Sequence, residues 1–125
     1  MIARVSALAA LFLLAETPVS HASNPIGMSA AGYLLQACEA YRNGTPSFDA
    51  AYCLGRVTGA TWTLDANTTG LKRDRSCIPS DVNADQLVRI FIKFANENSH
   101  RLHEPDLRIV FDSMHASWNC LIVPK

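Results

Sequence analysis

The 125-residue chain lacks a long hydrophobic run, a surplus of either charge, closely spaced cysteine pairs and any familiar catalytic motif. Its longest largely apolar stretch, Val5 to Ala15, is eleven residues including Ser6, whereas a membrane-crossing helix needs about 20. Eleven basic residues balance eleven acidic ones, which argues against nucleic-acid or membrane-surface partners, since both favour a basic patch. A protein partner is compatible with that balance. A near-neutral chain also gains little from self-repulsion, which permits a homodimer. The sequence contains no G-x-S-x-G elbow, no H-E-x-x-H, no phosphate-cradling glycine loop and no paired carboxylates in a catalytic setting. The expectation is a protein that is not an enzyme and uses no cofactor.

What is present begins with an export signal. Arg4 precedes the apolar run, Glu16-Thr17-Pro18 breaks it, and Ser20 and Ala22 put small residues at the −3 and −1 positions of a cleavage site before Ser23. Residues 1–22 therefore read as a signal peptide and 23–125 as one domain, placed in the periplasm and lacking a membrane anchor. Cleavage removes Arg4 and Glu16 and leaves the charge balanced.

Four cysteines in an exported chain imply two disulfides. Structural zinc takes its ligands in close pairs, and even Cys38 and Cys53, the nearest two, are far apart for that. His100 and His103 form an H-x-x-H pair in a polar link without a third ligand at helical spacing, so no metal is expected.

Periodicity predicts an all-α fold of four helices in two hairpins. In the first helix Ser29 is the expected cap, and Ala31, Leu34, Leu35, Cys38 and Tyr41 share a face. After the turn Asn43-Gly44-Thr45-Pro46, Ser47 caps a second helix whose apolar set is Ala50, Cys53, Leu54, Val57, Thr61 and Leu64. Cys38 and Cys53 then stand at similar heights above the hairpin loop, which pairs them and leaves Cys77 with Cys120. Asp65 to Ser76, with the charge cluster Lys72 to Arg75, reads as an exposed connection. Asn83 and Gln86 resemble a capping box for a third helix running to about Ala95, with a stripe of Leu87, Ile90, Phe91 and Phe94. Pro105 is expected in the first turn of the fourth helix, whose buried face is Leu107, Val110, Phe111, Met114 and Trp118. Every carboxylate is assigned to a cap or a solvated face. Gly55 and Gly59 form a G-x-x-x-G on the second helix, where a close crossing by another backbone is expected. Trp62 reads first as core and second as an interface anchor.

The helix with a late cysteine, Cys53-x-Gly55 followed by Gly59, Cys77-Ile78-Pro79, Gln86-Leu87, and Trp118-x-Cys120 together resemble the Rap/Tai family of type VI secretion immunity proteins, over roughly Ala30 to Cys120. That resemblance implies a periplasmic all-α domain, often dimeric, that blocks the active site of a peptidoglycan amidase injected by a neighbouring cell. The chain departs from the family pattern at Arg56, where an aromatic is usual, at Asn98-Ser99, where His-Pro is usual, and at Asn119, where proline is usual. A periplasmic acid-stress holdase, or an envelope helper protein of similar helical fold, is the alternative reading. The expected contact segment for a partner is the link between the third and fourth helices: Asn96, Asn98, Ser99, His100, Arg101 and Leu102.

Peptide mapping of the exported, unreduced protein is expected to find Ser23 at its N-terminus and the pairs Cys38–Cys53 and Cys77–Cys120. A peptide joining Cys38 to Cys77, or a free thiol, would contradict both the pairing and the helix order behind it.

Overall fold

A computed structural model describes residues 29–69 and 77–120. Four helices form the fold: α1 (Ala31–Arg42), α2 (Phe48–Thr69), α3 (Ala84–Glu97) and α4 (Asp106–Trp118), with a single 3₁₀ turn, Ser99–Arg101, between α3 and α4. The only β-type pairing among the described residues is an isolated bridge between Ala30 and Pro105. The signal-peptide residues, the charge cluster Lys72 to Arg75 and the last five residues lie outside the described part.

Helices α1 and α2 pack as the first hairpin and α3 and α4 as the second, and α2 touches all three others. The core is where these faces meet: Leu34 and Cys38 from α1, Cys53, Val57 and Leu64 from α2, Val88 and Phe91 from α3, and Ile109, Val110 and Met114 from α4 are fully or almost fully buried. Cys38 is bonded to Cys53 with Cα atoms 4.9 Å apart, and Cys77 to Cys120 at 5.3 Å. They close loops of 15 and 43 residues, worth roughly 3 and 4 kcal/mol by chain entropy. The first clips the two helices of one hairpin. The second ties the end of α4 to the segment entering α3. No helix among the described residues is long and apolar enough to cross a membrane.

Local chemistry explains most helix ends. Ser47 Oγ accepts from Ala50 N at 3.1 Å and Asn83 Oδ1 from Gln86 N at 2.9 Å, so both act as side-chain caps. Gly44 takes φ +75° in the hairpin turn, a conformation that costs glycine little. Asn119 ends α4 with φ 54°. Asparagine tolerates this left-handed conformation, but the ring of a proline cannot reach it.

Several sequence expectations are corrected. Ser29 does not cap α1: Ala30 holds the N-cap position without a side-chain bond, and the free N–H groups of Ala31 and Gly32 donate to the carbonyls of Glu104 and Leu102, each at 2.9 Å. Pro105 stands at the N-cap of α4 and Asp106 begins the helix. Helix α2 continues past Leu64 to Thr69, and Asp65 within it accepts from the backbone N–H of Cys77 at 2.9 Å and of Ile78 at 3.3 Å, so it anchors the returning chain. The threonines of this helix bond back onto it, as in Thr61 to the Val57 carbonyl at 2.8 Å and Thr63 to the Gly59 carbonyl at 2.9 Å, which removes their need for other partners. The buried stripe of α3 centres on Val88, Phe91 and Ile92, with Ile90 and Phe94 half-buried. That of α4 centres on Ile109, Val110, Ser113 and Met114, with Leu107, Phe111 and Trp118 half-buried at its margin.

Two corrections concern α2. Gly55 and Gly59 are exposed, and a Cβ built on either meets nothing within 4 Å, so among the described residues no backbone crosses there. Trp62 is 71% exposed. These residues lie opposite Cys53, Val57, Ala60 and Leu64, which fill the core-facing side of the helix.

One carboxylate is neither a cap to solvent nor surface. Asp106 is 1% exposed and takes Arg56 Nε at 2.7 Å and Nη2 at 2.9 Å, Leu107 N at 2.7 Å and Tyr52 Oη at 3.3 Å. Four donors onto two oxygens, at the positive end of α4, offset the cost of burying the charge. Because 35% of the Arg56 side chain stays exposed, desolvation falls mainly on Asp106. The bond to Asp106 raises the Arg56 pKa further. Tyr52 is also raised, first by its own burial and then by the nearby Asp106 charge.

The two halves of this pair should respond unequally. Arg56→Met leaves a buried carboxylate without its counterion and is expected to cost about 3–5 kcal/mol. Asp106→Asn leaves an arginine that already reaches water and is expected to cost less, about 1–3 kcal/mol. Chemical unfolding of both variants checks the order; equal small losses would remove the pair from the account.

Candidate partner interface

The link between α3 and α4 is built from its backbone outward. Asn98 closes α3: its N–H donates to the Phe94 carbonyl at 3.0 Å, and its side-chain Nδ2 to the same carbonyl at 2.9 Å. The 3₁₀ turn follows, with Arg101 N donating to Asn98 O at 2.9 Å and Glu104 N to Arg101 O at 2.9 Å. The far side of the link supplies the carbonyls of Leu102 and Glu104 that cap α1, and Asp106 N returns a bond to Ser29 O at 2.7 Å. The start of α1 and the start of α4 are thereby joined through the link.

Arg101 fastens the link from the side. Its guanidinium donates to Glu104 at 2.8 and 2.9 Å and to Asp112 of α4 at 2.6 Å. Both carboxylates raise its pKa, Glu104 most. In return the bond from Arg101 holds the Glu104 carboxyl below the usual carboxylate range, against a smaller opposing effect of its burial. Arg108 adds a long contact to Glu104 at 3.9 Å.

The six residues expected at the interface thus divide. Asn96, Ser99 and His100 are exposed, as is His103 beside them. Asn98, Arg101 and Leu102 are half-buried: Asn98 as the helix cap, Arg101 in its ion-pair network and Leu102 against the core. One run of sequence therefore supplies both an outward polar edge and the groups that hold it. The sequence reading missed Arg56, Glu104 and Asp106 as parts of this support. Asp106 directly after Pro105 was a detectable helix-start signal, but nothing local to Arg56 points to a partner 50 residues away.

Two apolar hollows lie elsewhere. One of about 290 Å³ is bordered by Thr61, Trp62, Ile78, Pro79, Val82 and Leu87, and a more open one of about 350 Å³ by Tyr41, Pro46, Ala50, Ala51 and Leu54. Among the described residues no group of three or more His, Cys, Asp or Glu side chains is placed to hold a metal ion.

The described residues thus form a helical bundle clipped by two disulfides, with a bonded polar link between α3 and α4. Residues 30–120 match the family model of the Rap1a immunity proteins, and the chain belongs to that family. No curated protein and no solved structure matches it.

The lowered Glu104 pKa carries a pH dependence of known sign. A carboxylate with a depressed folded-state pKa contributes stability that is complete above its unfolded value, about 4.3, and is lost as pH falls through the folded value. Glu104→Gln should therefore lower stability at neutral pH and flatten the decline below the ordinary glutamate range. Denaturation curves at a series of pH values check this, and an acid decline unchanged by the substitution would contradict it.

Proposed function

We propose that this protein is an exported immunity protein that binds a peptidoglycan amidase delivered by type VI secretion and occludes its active site, catalysing nothing itself. Membership of the Rap1a immunity proteins carries the reading. The apolar N-terminal run, its small-residue cleavage site and four cysteines suited to an oxidising compartment support action in the periplasm, where an injected cell-wall hydrolase would meet its substrate.

Asn96, Ser99 and His100 are the contact residues in this reading, with His103 beside them. They offer exposed donors and acceptors along one segment. A segment already fixed in the free protein loses little conformational freedom on binding, which favours tight association. Asn98, Arg101 and Leu102 serve the same site by holding its shape. An immunity protein acting this way needs no chemistry of its own: it has only to cover the enzyme's groove more tightly than the substrate does.

The substitutions that test the site are those that leave its support intact. Asn96→Arg combined with His100→Glu is expected to weaken binding and inhibition of the cognate amidase by at least ~2 kcal/mol, the size of a hot-spot loss. Folding stability should shift by no more than about 0.5 kcal/mol, as at other exposed sites. Wild-type inhibition by the double variant would remove this edge from the interface. Failure of the unaltered protein to inhibit any amidase, together with suppression of aggregation of unrelated proteins at acid pH, would replace the immunity reading with the holdase one.

A further inference from the structure

Where the segment entering α3 lies against α2, the surface carries an apolar hollow of about 290 Å³, bordered by Trp62, Ile78, Pro79, Val82 and Leu87. Two fastenings set its place. Asp65 of α2 accepts from the N–H groups of Cys77 and Ile78 at 2.9 and 3.3 Å, which lays the returning chain along that helix. Cys77 is in turn bonded to Cys120, with Cα atoms 5.3 Å apart. Cys120 is 1% exposed, so the chain beyond α4 sets out from inside the protein, next to the residue that precedes Ile78. Asn119, at φ 54°, has by then turned the backbone out of the helix. From Cys120 the sequence runs on as Leu121-Ile122-Val123-Pro124-Lys125, three aliphatic residues followed by proline and lysine.

We infer that this hollow is the seat of the chain's own segment Leu121–Val123, which covers one side of Trp62 there. Reach permits it: two or three extended residues span about 7–10 Å, and the disulfide starts them one residue from Ile78. Chemistry favours it, since a run of three aliphatic side chains in water beside an apolar hollow gains by leaving the water. Volume limits it. A cavity of about 150 Å³ holds a benzene-sized group, so the hollow of about 290 Å³ takes one or two of the aliphatic side chains.

The tether decides between this occupant and others. A segment joined covalently at the rim seats by an intramolecular step, at an effective concentration of roughly millimolar order for a short connection. A separate molecule has no such advantage and must also give up its translational and rotational freedom. Ile122 and Val123 are β-branched, with few rotamers to lose and a preference for extended backbone. The Cys77–Cys120 bond thereby positions the segment as well as the end of α4, and Trp62, 71% exposed among the described residues, gains an apolar neighbour.

Nuclear Overhauser measurements on the purified, oxidised chain without any toxin test the inference apart from the immunity reading. Contacts are expected from the methyl groups of Leu121, Ile122 or Val123 to the Trp62 indole and to the methyl groups of Ile78 and Val82. Fluorescence gives a second readout. With Trp118→Phe in the background, Trp62 is the only tryptophan, and its emission should move to longer wavelength both on Ile122→Asp and on ending the chain after Cys120, while Ile122→Val leaves it in place. The shortened chain should also melt lower, on the order of 5 °C. Absence of the methyl contacts in the unaltered chain, or a Trp62 emission that is the same with and without the segment, overturns the inference. An emission shift that varies with chain concentration assigns the hollow to a second copy, and contacts at Ile78 and Val82 that arise only on adding the amidase assign it to the toxin; in either case the inference falls.

Discussion

The ion pair between Arg56 and Asp106 joins the middle of α2 to the first residue of α4, and the arrangement of the two hairpins depends on it. Asp106 is buried to 1% exposure, which is tolerable only with a cation and further donors in place. Once there, its backbone N–H bonds Ser29, and the neighbouring link offers the carbonyls that finish α1. The Asp106 carboxylate thus ties the start of α4 to α2, while backbone bonds of Leu102, Glu104 and Asp106 tie the link to the start of α1. The Cys38–Cys53 bond lies within the first hairpin and cannot set how the second docks upon it. That role falls to the Arg56–Asp106 pair and to the apolar faces around Val57, Phe91 and Val110.

The same constraint decides what the α3–α4 link is. Its polar composition, Asn96 to His103, suggests an ordinary solvated connection. The structure instead makes it a working part of the framework, bonded to α1 through Leu102 and Glu104 and to α4 through Arg101 and Asp112. Such a segment keeps its shape when it meets another surface. An inhibitor that must enter a groove gains from that rigidity, since each ordered side chain or loop residue otherwise subtracts from the binding free energy.

Much of the fold was legible in the sequence because its signals are local. Ser47 and Asn83 sit three residues before the N–H groups they cap, and the spacing of Leu34, Cys38, Cys53 and Val57 repeats within a few turns. Even the disulfide pairing followed from a short hairpin. What escaped was set by distant partners. Ser29 looked like a cap because nothing nearby announced the carbonyls of residues 102 and 104. Arg56 stood out only as a departure from the family pattern, with no hint of its partner, because Asp106 is 50 positions away. The core stripe of α2 through Cys53, Val57 and Leu64 followed from periodicity, but the exposure of Gly55, Gly59 and Trp62 did not, because small or aromatic residues are equally at home in internal packing. Within the link, the sequence could not separate Asn96, Ser99 and His100, which are exposed, from Arg101 and Leu102, which hold the link in place.

The central proposal is that the link, bonded into the bundle on both sides, presents its outer edge to a toxin. Amide hydrogen exchange on the chain, alone and with its cognate amidase, tests both halves at once. The account predicts that the N–H groups of Ala31, Gly32 and Asp106 exchange as slowly in the free protein as those within the core helices, and that the amides of Ser99 and His100 slow when the amidase is added. Fast exchange at Ala31, Gly32 and Asp106 in the free protein, or amidase binding that leaves Ser99 and His100 unchanged, would contradict it.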